Sequence, residues 1–235
     1  VRGAKPAKSV GQAVSVILNG ARVAPRAPFM YHTQRFFQIK EAAVRKTVIG
    51  VIGEAGAGKE TFARVLIARI THLGVFHTTF SNTLVETLKA WNIAPTRPNC
   101  QLLAQVMNKG FGDGTLTRAA LHQVQARDER IIIVDGVRWQ ADFDGLKALA
   151  KDHTEVIMVY VTADPKIRFE RLTVRNQRPG ETGLTWEQFV RESEAPNEQL
   201  IGTLGNMADF EIENNGTLKD FERRVVAFLD TYMWR

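Results

Sequence analysis

Between Val48 and Leu66 the chain reads VIGVIGEAGAGKETFARVL. An apolar run leads into a glycine-rich turn that ends in lysine. Phe62, Val65, Leu66, Ile70 and Leu73 then recur at three- and four-residue spacings. This order predicts a buried strand, a tight loop and an amphipathic helix packed back on the strand. Gly53, Gly58 and Lys59 fit the spacing G-x-x-x-x-G-K, in which glycines let the backbone curl until successive N–H groups point inward at phosphate. The helix start adds partial positive charge and Lys59 a full one. No G-x-G-x-x-G can be drawn through Gly50, Gly53, Gly56 and Gly58, so a dinucleotide loop is excluded. A plain glycine turn is the alternative; strand, spacing and lysine together weigh against it.

Glu60 stands where most such loops place a Ser or Thr whose hydroxyl takes Mg²⁺. Here the hydroxyl arrives one position later, as Thr61. The order G-K-x-T resembles that of adenylate kinases and related nucleoside monophosphate kinases, in which phosphates and water largely hold the metal. The Glu60 carboxylate should therefore face away from the anion. Gly53, Ala55, Gly56, Ala57, Gly58, Lys59, Glu60 and Thr61 make up the expected nucleotide loop.

From residue 47 onward, short β-rich runs alternate with helical stretches, which predicts an α/β fold with a mainly parallel sheet. The expected strands are TVIGVI (47–52), VFHTTF (75–80), IIIV (131–134), EVIMVYV (155–161) and DFEIE (209–213). Asp164-Pro165 marks a helix start, and Thr185-x-x-Gln188 and Thr217-x-x-Asp220 resemble capping boxes. The last helix should dock through Leu218, Phe221, Val225, Phe228, Leu229 and Tyr232. About fifty residues separate the second and third strands, too many for a plain crossover, so 94–126 is expected to be an insertion.

Composition constrains the rest. Cys100 is the single cysteine, which rules out an internal disulfide and suits a reducing compartment. His32, His72, His77, His122 and His153 show no ligand spacing, so no protein metal site is expected. No apolar run approaches membrane-spanning length. The net charge of +6 is localised: residues 1–46 hold nine Lys/Arg and one acid, and the remainder carries a net −2. The expectation is therefore a basic, poorly ordered extension at 1–46 and a catalytic body at 47–235, in a cytoplasmic protein. An organellar transit segment, or translation from upstream of Met30, would explain the extension as well.

Two further clusters carry chemistry. Asp135 ends the third strand within DGVRW, at the edge where open α/β sheets collect ligands. It is expected to order a metal's water shell or take a proton, and Arg138 to grip an acceptor phosphate. A simple turn cap is the competing role for Asp135. Arg168, Arg171 and Arg175 share one helical face, with Arg178 in the following loop. A solvated basic face is the common reading of such a run. Mobile arginines closing over a phosphoryl group, a lid at 168–183, is the sharper one.

From about Thr47 the chain resembles the nucleoside monophosphate kinase group of P-loop kinases, including dephospho-CoA-kinase-like, adenylate-kinase-like and phage-type deoxynucleoside monophosphate kinase-like proteins. GEAGAGKET, IIIVDGVR, VYVTADPKIRFERLTVR and ADFEIENNGTL carry the likeness. The resemblance implies a five-stranded parallel sheet with flanking helices, ATP and Mg²⁺ as cofactors, and an acceptor-binding insertion with Arg97 and Arg118 as phosphate contacts. It also implies a short lid bearing Arg171 and Arg175, and Asn215 or Thr217 beside the adenine. Dephospho-CoA kinases usually show a D-x-P-L-L-F-E-like run where this chain has DGVRWQADF. Nothing in 80–126 reproduces AMP- or thymidylate-kinase acceptor motifs. The expected function is phosphoryl transfer from ATP to a small nucleotide-type acceptor. Dephospho-CoA kinase is the alternative within the same chemistry. The alternative from another class is a non-catalytic, ATP-switched binding protein whose extension contacts nucleic acid.

Overall fold

A computed structural model describes residues 45–233 apart from 152, 176–182 and 195; at 97, 175, 196, 197 and 233 only the backbone is described. The expected extension at 1–46 therefore lies outside the described residues except for Arg45 and Lys46, and so does most of the loop half of the expected lid.

Five strands form one sheet: β1 (Lys46–Ile52), β2 (Val75–Thr79), β3 (Ile131–Val137), β4 (Thr154–Thr162) and β5 (Phe210–Glu213). All pairings are parallel, in the order β2-β3-β1-β4-β5. The helices are α1 (Lys59–Ile70), α2 (Asn82–Ala90), α3 (Arg97–Phe111), α4 (Thr115–Gln125), α5 (Gln140–Lys147), α6 (Pro165–Arg175), α7 (Trp186–Ser193), α8 (Pro196–Gly205) and α9 (Leu218–Phe228).

β1 lies at the centre, so both of its faces are apolar. Ile49 and Val51 pack with Phe62, Leu66 and Ile70 of α1 and with Phe221, Val225 and Phe228 of α9. Val48 and Ile52 face the other way, toward Phe143, Leu146, Met158, Ile201 and Leu204. Gly50 sits among them because a Cβ there would lie 2.7 Å from the Met158 side chain. All five expected strands form. The Thr185 and Thr217 capping boxes form as well, and Pro165 opens α6. Leu218 departs from the expected docking face and is exposed, since the buried stripe of α9 begins at Phe221.

The stretch between β2 and β3 is three helices with a small core of their own, where Leu84, Leu88 and Leu103 pack with Cys100, Met107 and Leu116. Breaks at 91–96 and 112–114 separate them, at or beside APTRPN (94–99) and GFGDG (110–114).

Phe228 is fully buried; its ring meets Phe62 edge-on and Phe210 at a tilt, and stacks on Tyr232. Phe228→Ala should cost about 3–5 kcal/mol, read from the shift in urea midpoint at unchanged slope.

Candidate active site

The carboxyl ends of all five strands meet at one edge, and the loop leaving β1 is its centre. Gly58, the residue before α1, has φ 107°, and a Cβ on it would lie 2.3 Å from Asn214 Nδ2. Both facts demand glycine. A Cβ at Gly53 would strike the Val161 carbonyl at 2.4 Å, and one at Gly56 the Arg168 carbonyl at 2.7 Å. The loop is thus pressed against β4 and α6 with no room for side chains. Among the described residues, Ala57 N–H is the one amide of 54–58 taken by a protein acceptor, the Glu54 carbonyl at 3.2 Å. Lys59 folds back over the loop, its Nζ donating to the carbonyls of Gly53 (2.7 Å) and Glu54 (3.1 Å). Burial pushes the Lys59 ammonium below its ordinary pKa, while Asp135, Glu198 and Glu54 pull it back up. Glu60 is exposed in the first turn of α1, and Thr61 is half-buried beside it.

At the end of β3 the register with β1 skips one residue: Val51 pairs with Asp135 and Ile52 with Val137. Gly136 takes the bulge at φ 85°, a conformation that side chains resist. Asp135 Oδ1 is buried and has no hydrogen-bond partner. Arg138 pairs through Nη1 with Glu198 Oε1 of α8. The backbone under Arg138 is fixed by buried Asp142, whose Oδ2 accepts from the N–H groups of Arg138 (3.3 Å) and Trp139 (3.2 Å). Its Oδ1 accepts from Thr117 Oγ1 of α4 at 2.6 Å. Burial raises the Asp142 carboxyl above its ordinary range, and these hydrogen bonds oppose the rise.

Asn214 follows β5 and ties three segments together. Its Nδ2 donates to the Ala57 carbonyl at 2.8 Å, and Arg171 Nη2 donates to its backbone oxygen (2.8 Å) and its Oδ1 (3.3 Å). Arg171 Nη1 is buried without a partner. Tyr160 donates its hydroxyl to Glu54 Oε1 at 2.7 Å; burial, with the Glu54 carboxylate, pushes this phenol up to about 12. A cavity of about 420 Å³ lies at the ends of β4 and β5, with Glu54, Asp164, Arg168 and Asn215 in its wall.

The structure gathers Lys59, Asp135, Arg138 and Arg171 at this edge, together with the 53–61 loop and Asn215. Asn215 Oδ1 accepts from the Asp164 N–H at 2.7 Å and so links the two strand ends. Thr217 is engaged as the cap of α9, accepting from Asp220 N–H at 3.3 Å. Arg168 is nearly buried, donating to the Ala163 carbonyl and lying over the Phe189 ring, so it braces α6 from within. Arg118 wraps the turn before α4, bonding the Phe111 and Asp113 carbonyls. The side chains of Arg97 and Arg175, and Arg178 altogether, lie outside the described residues. Sequence reasoning missed Glu198, Asp142, Asn214 and Tyr160. Asn214 stands next to a residue that was singled out. Glu198, far along the chain, offers no local signal.

The residues fit a nucleoside triphosphate with its Mg²⁺. Glycine contacts that a Cβ would fill, loop amides without acceptors among the described residues, a half-buried lysine and the orphaned Asp135 oxygen together suit a polyanion and its hydrated cation. Among the described residues no cluster of His, Cys, Asp or Glu could hold a metal unaided.

Gly58→Ala should abolish ADP binding in a calorimetric titration, through the Asn214 clash and the positive φ, while the strands keep their far-ultraviolet signature. Asp142 makes a second test possible. An acid whose folded pKa is raised favours the native state while protonated, and that contribution is lost as pH rises from the unfolded value through the folded one. The contribution of Asp142 to stability should therefore fall across that acid window in the wild type. In Asp142→Asn the fall should be shallower, read by urea unfolding from pH 4 upward.

No protein-family model matches the chain. It is similar to a UPF0200 protein of Hyperthermus butylicus, 28% identical over 188 residues that cover 80% of this chain and 96% of that one. A UPF0200 protein of Staphylothermus marinus is 28% identical over 177 residues, 75% of this chain and 87% of that one. Among solved structures, shikimate kinase from Bacteroides thetaiotaomicron superposes with a TM-score of 0.53 at 14% identity, covering 78% of this chain and 98% of that one. With the all-parallel 2-3-1-4-5 sheet, this likeness shows the α/β fold of the P-loop kinases.

Proposed function

We propose that this chain is an ATP-dependent phosphotransferase acting on a small acceptor of the nucleotide class. One observation carries the reading. Lys59 is held inside a loop whose glycines tolerate no side chain, its charge satisfied by two loop carbonyls and set beside an unpartnered carboxylate. A lysine kept for phosphate is parked on weak acceptors that a polyanion displaces. The fold it shares with a small-molecule kinase supports the same reading.

ATP, when bound, supplies the phosphoryl group and the anion that the loop recognises. Lys59 leaves the Gly53 and Glu54 carbonyls for the β- and γ-phosphates. The amides of Glu54, Ala55, Gly56 and Gly58 and the first turn of α1 would hold the remaining oxygens, Ala57 N–H being taken by the Glu54 carbonyl. Asp135 orders the water shell of the metal or accepts the acceptor's proton. Arg138 faces the acceptor side. Arg171, with a buried donor still unused, would neutralise the migrating charge, a role that Arg175 would share. Asn215 lies by the cavity that would take the base.

Lys59→Ala should lower kcat/KM by 10²–10³, corresponding to about 3–4 kcal/mol of lost electrostatic stabilisation. The measurement is coupled ADP release across nucleoside monophosphates, their deoxy forms and dephospho-CoA. Turnover close to wild type in the variant would refute the site.

A further inference from the structure

Arg138 is the cation that the end of β3 offers to an acceptor, yet Glu198 already holds it. The Glu198 side chain is only 8% exposed and that of Arg138 30%, so this is an interior pair rather than a rim contact. It is also built in. Asp142 fixes the Arg138 backbone from below, and α8 delivers Glu198 from across the edge. Asp135 stands three residues before Arg138 with one buried oxygen free. Asp135, Glu198 and Arg138 all act on the Lys59 ammonium, so two carboxylates share this corner with one guanidinium and that ammonium. A phosphomonoester, close to doubly charged at neutral pH, needs the whole guanidinium fork and no competing carboxylate. To enter, it would strip a nearly buried glutamate of its guanidinium.

We infer that Glu198 is a specificity-determining residue that bars a phosphate from the Arg138 corner, so that the group phosphorylated is a hydroxyl. A hydroxyl suits what is present: it donates to Glu198 or Asp135 and accepts from the Arg138 donors that remain. This rests on the donor-loop reading of Lys59, and it narrows the acceptor to the hydroxyl-bearing part of a molecule such as a sugar or nucleoside moiety. In the transfer, the acceptor oxygen forms the new bond to the γ-phosphorus, and the bond from that phosphorus to the β,γ-bridging oxygen breaks. The electron pair leaves with ADP, and the hydroxyl proton passes to Asp135.

The test titrates AMP into the ADP-saturated full chain by calorimetry, for wild type, Glu198→Gln and the Glu198→Gln/Arg138→Ala double variant. Gln keeps the size and polarity of Glu198 while freeing the guanidinium. AMP should bind Glu198→Gln at least tenfold more tightly than wild type, and the double variant should lose the gain. Equal affinity in wild type and Glu198→Gln, or no AMP binding in either, overturns the inference. So does conversion of AMP to ADP by the wild type, seen as a β-phosphate resonance in ³¹P spectra. ADP binding in the first step reports on the donor loop separately. Its failure would sink the phosphotransferase reading, and the Glu198→Gln to wild-type affinity ratio would then be measured with ribose 5-phosphate alone.

Discussion

A parallel sheet delivers the carboxyl end of every strand to the same edge, and this constraint organises the molecule. β1 is central and buried on both faces, so the loop that follows it emerges in the middle of that edge. β3 on one side brings Asp135 and Arg138; β4 and β5 on the other bring Tyr160, Asn214 and Asn215. None of these residues is near another in sequence except within its own strand turn. The register alone makes them neighbours.

The edge is then locked by a few polar contacts that differ in kind. Asn214 is a buried amide satisfied by backbone on one side and arginine on the other, which defines the loop position to within a hydrogen bond. Asp142 works as a cap: its carboxylate collects two backbone donors and one hydroxyl, and the turn bearing Arg138 inherits that rigidity. Glu54 and Asp135 are less settled. Each keeps a buried oxygen without a partner, and such atoms are costly unless a ligand or solvent answers them. Both carboxylates act on the Lys59 ammonium, so the unanswered oxygens and the lysine belong to one cluster.

The fold was legible because its signals are local. Strand runs such as IIIV, the caps at Thr185 and Thr217 and the proline at 165 each act within a few residues, and each forms where expected. The glycine loop was legible because steric demands write themselves directly as Gly. The long-range partners at that edge were not. Glu198 meets Arg138 across 60 positions and Asn214 meets Ala57 across 157, and neither contact leaves a periodicity. Arg168 shows the converse. Its spacing with Arg171 and Arg175 suggests one common duty, yet packing turns it inward against Phe189. Helical spacing reports which way a residue faces and is silent on what meets it there.

Asn214 also has a mechanical consequence. Because one amide group grips Ala57 while its oxygens are held by Arg171, helix α6 and the glycine loop are coupled members of one linkage. The loop also meets α6 directly, where Gly56 lies against the Arg168 backbone, so helix and loop are joined at two points rather than one.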